Sequence, residues 1–127
     1  MNLSAADDRP GGLLAWQWSR YPPSHRNRAN LLTHVLTAPV YILGTIALVS
    51  STLVPSVGLA VAGLAAMGLV MFLQGRTHRR EELRPAPFRG PLDLIQRLFV
   101  EQWVTFPRYV LSGEFARAWH GEPVKAP

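Results

Sequence analysis

The sequence predicts an all-α membrane protein: a two-span transmembrane helical hairpin with an amphipathic C-terminal helix at the cytoplasmic interface. Three observations predict it. From Leu31 to Leu73 the chain has no Asp, Glu, Lys or Arg and one His, while all 13 Lys and Arg lie in the flanks. Ser50-Ser51-Thr52 and Pro55-Ser56 divide that stretch with a turn that carries no charge. Arg20, Arg26 and Arg28 precede the first apolar block, and Arg76, Arg79, Arg80 and Arg84 follow the second. Positive-inside bias then places both termini in the cytoplasm. A water-soluble domain of 127 residues would spread its charge along the whole chain.

Residues 1–20 read as a flexible N-terminal segment, with Trp16 and Trp18 suited to the membrane interface. This segment has no apolar core of the kind a signal peptide needs, so none is expected. Residues 21–115 form a single membrane domain. Tyr21-Pro22-Pro23 is expected to break any helix, and Ser24 to cap the next one. The first span, 31–54, is about 36 Å long as a helix, and Pro39 should kink it. The second span, 57–74, is shorter: its apolar part gives about 26 Å, the low end for crossing a bilayer. Gly58, Ala62, Ala65, Ala66 and Gly68 fit either close helix packing or a generic small-residue span. Pro85-Ala86-Pro87 ends any helical extension. Residues 91–112 then form an interfacial helix with Pro91 in its first turn. Its apolar face is Ile95, Leu98, Phe99, Trp103, Phe106 and Val110. Asp93, Arg97, Glu101, Thr105 and Arg108 oppose it, and Pro107 should interrupt it. Residues 116–127 are a tail.

The absence of cysteine rules out disulfides. The net charge of +5 is explained by juxtamembrane arginines facing anionic headgroups, so membrane lipid is the expected partner. No basic stripe interleaved with aromatics marks a nucleic-acid surface. Soluble catalytic templates are missing: no G-x-S-x-G, no phosphate-binding glycine loop and no H-E-x-x-H. The oligomeric state stays open, a homo-oligomer included.

The histidines carry the chemical signal. His34 lies 21 residues before Pro55 and His78 lies 23 after it. An antiparallel hairpin returns them to nearly the same depth at its cytoplasmic end. His25, two to three turns further out, joins them if the first arm bends back, whereas His120 belongs to the solvent-exposed tail. Asn30 shares a helix face with His34, and Glu82 shares one with His78 if the helix continues past Gly75. Glu81 is the alternative carboxylate. Three imidazoles and a carboxylate suit iron, zinc, copper or nickel, and open positions beside two His and one carboxylate suit non-haem Fe(II). Asn30 fits a role behind the ligands, orienting an imidazole.

Tyr21-Pro22-Pro23-Ser24-His25, Asn30, His34 and Pro39 resemble the H-x4-N-x3-H…P signature of a family of small membrane proteins, the 2-hydroxy fatty acid dioxygenases. The family's characterised fungal member turns phytosphingosine-derived acids into odd-numbered fatty acids. Gln74, His78, Glu82 and Pro85-Ala86-Pro87-Phe88 resemble the family's second block, and the likeness covers roughly residues 18–115. It implies a membrane-bound Fe(II) dioxygenase, with zinc or another divalent metal as the alternative cofactor. His25, His34 and His78 would be the catalytic metal ligands, with Glu82 a ligand or anchor. Asn30 and Glu81 would support them, and Arg79 and Arg80 would steady the substrate carboxylate. The substrates would be a 2-hydroxy fatty acid and O2, and the acid would lose one carbon. Two other readings fit the sequence: a non-enzymatic membrane adaptor or assembly protein using its C-terminal helix, and a metal-binding membrane protein without oxygenase activity.

Overall fold

The structure, a computed structural model, describes residues 8–125. The described residues form helices and no strands: α1 (Gly12–Ser24), α2 (Arg28–Leu53), α3 (Val57–His78), α4 (Pro91–Val100), a π-helical turn (Glu101–Thr105), α5 (Phe106–Leu111) and α6 (Glu114–Trp119).

Helices α2 and α3 are long and apolar enough to cross a membrane, and only 28% and 17% of their most apolar windows are buried within the protein. Leu36, Leu43, Val49, Val61, Leu64 and Phe72 all face outward. A soluble core helix would bury such residues. The two helices run antiparallel, pairing Gly44 with Gly63, Thr37 with Gln74 and Asn30 with His78.

The closest approach is at glycine. A Cβ on Gly63 would lie 2.6 Å from the Gly44 carbonyl oxygen and 2.9 Å from the Leu48 nitrogen. Ala66 lies at the same crossing, whereas a Cβ on Gly68 would meet nothing within 4 Å. Gly63→Val should therefore force the helices apart and cost about 1–3 kcal/mol. Gly68→Val should cost much less. Thermal unfolding of the two variants in detergent checks this, and equal losses would refute the crossing.

The N-terminal region differs from the flexible segment expected for 1–20. Residues 1–7 lie outside the described residues, but α1 is helical and packed. Gln17 Nε2 donates to the Arg97 carbonyl at 3.0 Å, and Thr105 Oγ1 donates to Gln17 Oε1 at 2.6 Å. Arg9 reaches Asp93 at 2.6 Å. Pro22 and Pro23 do not break α1, because they fall in its last turn, where the carbonyls find side-chain partners. Ser24 Oγ donates to the Arg20 and Tyr21 carbonyls. Ser24 thus closes α1 rather than opening α2. The cap of α2 is Asn27, whose Oδ1 accepts from Ala29 and Asn30 N–H.

The interfacial helix expected at 91–112 is divided earlier than Pro107. Phe106 N–H bonds the Glu101 carbonyl, five residues back. Pro107 has no N–H for the carbonyl four residues before it and would clash with it in a regular helix; the wider turn just ahead avoids both. The turn also buries Glu101, Gln102 and Thr105 together. Gln102 and Gln74 exchange amide hydrogen bonds of 2.7 and 3.0 Å, and Gln74 also donates to Thr37 at 2.9 Å. Helix α6 crosses the boundary expected at 115/116. Its Ala118 joins Tyr21, Leu31, Ala38, Phe106 and Tyr109 in the core, with Phe115 against them.

Candidate metal centre

Three histidines meet at the charged end of the helix pair. His25 lies in the bend between α1 and α2, His34 faces inward from α2, and His78 is the last residue of α3. Their ring centroids are 4.7–4.9 Å apart and the rings stand 84–89° to one another. Glu101, at the start of the π turn, completes the group. One donor atom from each of the four residues lies within 4.8 Å of all the others. Ligands at about 2.0–2.2 Å from a common ion stand about 3–4 Å apart, so a small contraction closes the set. This buried His25, His34, His78 and Glu101 group could hold a metal ion.

The hydrogen bonds behind the rings fix which nitrogens are offered. His25 Nδ1 lies 2.9 Å from the Tyr21 carbonyl and His34 Nδ1 lies 2.9 Å from the Asn30 carbonyl. A carbonyl only accepts, so both Nδ1 atoms carry the proton and each neutral ring presents the lone pair of Nε2. Those Nε2 atoms point at one oxygen, Glu101 Oε1, at 3.5 and 3.1 Å. Two lone pairs facing a carboxylate oxygen repel it unless a proton or a metal ion lies between them. His25 Nε2 is buried without a hydrogen-bond partner, as an unused ligand atom would be. Rings held through Nδ1 to backbone carbonyls are also the usual support of metal-binding histidines.

The electrostatics agree. Burial pushes the His25 pKa down, towards the neutral imidazole a metal needs. Tyr21 braces two of the four groups. Its hydroxyl donates to Glu101 Oε1 at 3.0 Å, and its ring stacks on His25 with centroids 3.6 Å apart. Burial and the nearby Glu101 raise the Tyr21 pKa, so this hydroxyl keeps its proton.

The other residues singled out in the sequence separate into two groups. Asn30 and Glu81 sit directly behind the ligands. Asn30 Nδ2 lies 3.4 Å from His78 Nδ1 and donates to Glu81 Oε1 at 2.9 Å, while Asn30 Oδ1 accepts from Thr77. Glu82 is not among the four. Helix α3 ends at His78, where the Arg80 N–H turns back to the Thr77 carbonyl, so Glu82 never comes one turn above His78. It is exposed and lines a separate depression with Arg80. Arg79 is exposed as well, and neither Arg79 nor Arg80 borders the cavity at the cluster. His120 is exposed near the tail.

Glu101 and Tyr21 were the residues that sequence reasoning missed. Glu101 was visible only as a member of the polar face of the C-terminal helix, and Tyr21 only as part of the Tyr21-Pro22-Pro23-Ser24-His25 segment. A cavity of about 510 Å³ opens beside the cluster, within the size range of small-molecule sites. His25, His78 and Glu101 form one part of its wall, and α1, α3, α4 and residues 83–88 supply the rest. Comparisons with protein-family models, curated proteins and solved structures find no match to this chain.

Proposed function

We propose that this chain is a membrane-embedded, Fe(II)-dependent dioxygenase that shortens 2-hydroxy fatty acids by one carbon. The observation that carries the reading is the buried group of three imidazoles and one carboxylate, with His25 Nε2 unpartnered at its centre. Helices α2 and α3 cross the bilayer in this reading. Helices α4 and α5 lie across their charged end, with Ile95, Phe99, Trp103 and Val110 turned to lipid and both termini in the cytoplasm. The resemblance of His25, Asn30, His34 and Pro39 to the dioxygenase signature supports the choice of reaction.

His25, His34, His78 and Glu101 would hold the metal, and the bound Fe(II) would supply the activation of O2. A divalent ion with one carboxylate leaves the buried centre with a net positive charge, which favours a second anion such as the substrate carboxylate. Tyr21 and the backbone carbonyls of Tyr21 and Asn30 keep the ligands oriented. The apolar cavity excludes water from the reacting carbons. The bond between C1 and C2 breaks: one molecule of 2-hydroxy acid and one of O2 give the shortened acid, CO2 and water. O2 takes up all four electrons, so no external reductant is required.

The test is metal analysis and turnover of detergent-purified protein loaded anaerobically with Fe(II). Near-stoichiometric iron and O2 uptake matched to CO2 release from a 2-hydroxy acid are expected, with both lost in His34→Ala. Metal without turnover would leave a metal-binding protein, and absence of metal would leave an adaptor.

A further inference from the structure

We propose that the cavity beside the cluster is a lateral port admitting the acyl chain of a carboxylic acid from the lipid, and that Gly75 keeps this port open and limits what enters it. The inference rests on the enzymatic reading above for the use of the port, though not for its existence.

Met71, Gln74, Gly75 and His78 all line the cavity. Their spacing places them on one stripe of α3. The stripe runs from the cluster about 10 Å towards the apolar middle of the helix. Met71 and Gly75 are exposed, so the cavity wall is incomplete on that flank. A Cβ built on Gly75 meets nothing within 4 Å, in contrast to Gly63, where it would strike backbone at 2.6 Å. Gly75 is thus not explained by helix packing, although glycine weakens a helix relative to alanine. What the missing side chain leaves is space at the cavity wall.

The lining identifies the occupant. Leu94 and Leu98 of α4 and Met71 of α3 offer an apolar track. Arg20 and Arg84 also border the cavity, as does Arg97, which is already paired with Asp93; among the described residues the lining's only carboxylate is Glu101, already engaged by His25, His34 and Tyr21. An apolar track in an electropositive cavity fits an acid-headed acyl chain. A neutral lipid would offer Arg20 and Arg84 no counter-charge, and a cationic amphiphile would be repelled.

A fatty acid carrying a photoactivatable diazirine on its chain, without a 2-hydroxyl, tests the port in nanodiscs. Saturable labelling is expected at residues 71–78 and 94–98, competed by the unlabelled acid. Gly75→Phe and, independently, Met71→Trp should each lower that labelling at least tenfold while metal content stays at the wild-type level. Gly68→Phe, two turns away on the same flank with equally open space, should leave it within twofold. Non-saturable labelling, labelling indifferent to both port variants, or equal loss in Gly68→Phe would overturn the port. Turnover of a 2-hydroxy acid by the wild type is scored separately. A port that labels as described without any turnover keeps this inference and removes the oxygenase reading.

Discussion

Glu101→Gln is expected to lower metal affinity at least about 100-fold, beyond the loss typical of a residue that only supports a ligand, and to leave the fold intact. Glu82→Ala should change it less than twofold. Glu101 Oε1 is the atom on which His25, His34 and Tyr21 all converge, so its charge is what makes the site attractive to a cation. Glutamine preserves the volume and the acceptor for the Tyr21 hydroxyl. Alanine would instead leave a buried hydroxyl without a partner, at about 1–3 kcal/mol, and would confuse instability with lost binding. Isothermal titration with Co(II) or Zn(II), beside a thermal unfolding curve for each variant, separates the two effects. Wild-type affinity in Glu101→Gln would exclude Glu101 as a ligand and return attention to the three histidines alone.

The two apolar helices were legible because exclusion of charge from a long stretch is a strong local signal. His34 and His78 were legible because counting outward from one turn fixes relative depth in an antiparallel pair. Glu101 was hidden for a physical reason. A 3.6-residue periodicity puts it on a face with Asp93, Arg97 and Arg108, and such a face ordinarily points to water. Here α1 and the histidine end of the helix pair cover that face, and the π turn directs Glu101 and Gln102 inward together. The role of α1 was hidden too, since Pro22-Pro23 reads as a helix breaker unless the two prolines are known to fall in the last turn, where Ser24 and His25 take the end carbonyls of Arg20 and Tyr21. Between Glu81 and Glu82, sequence offered no decision. The end of α3 at His78 supplies it, turning Glu81 back onto the start of α2.

That placement makes Glu81 the strongest structural dependence of the site. It is buried, and both carboxylate oxygens accept from Arg26 N–H at 2.9 Å; Oε1 also accepts from Asn27 N–H and Asn30 Nδ2, each at 2.9 Å. One anion thereby ties the segment after α3 to the bend carrying His25 and to the asparagine behind His34 and His78. Hydrogen bonds to a charged group contribute about 1.5–3 kcal/mol each, and donors left buried without a partner are costly. Glu81→Ala should therefore destabilise the protein by about 3 kcal/mol or more. It should also weaken metal binding by about 10–100-fold, as loss of a supporting partner does. Glu81→Gln should fall between, because its amide oxygen can serve Asn27 and Asn30 while its amide nitrogen opposes the Arg26 N–H. Unfolding midpoints and metal titrations of the two variants should thus move in the same order. If Glu81→Ala unfolded like the wild type, the bend at His25 would be held by the contacts of Tyr21 in α1 and Tyr109 in α5. Metal affinity would then be expected to follow Tyr109→Phe, which removes the 2.6 Å hydrogen bond from its hydroxyl to the His25 carbonyl.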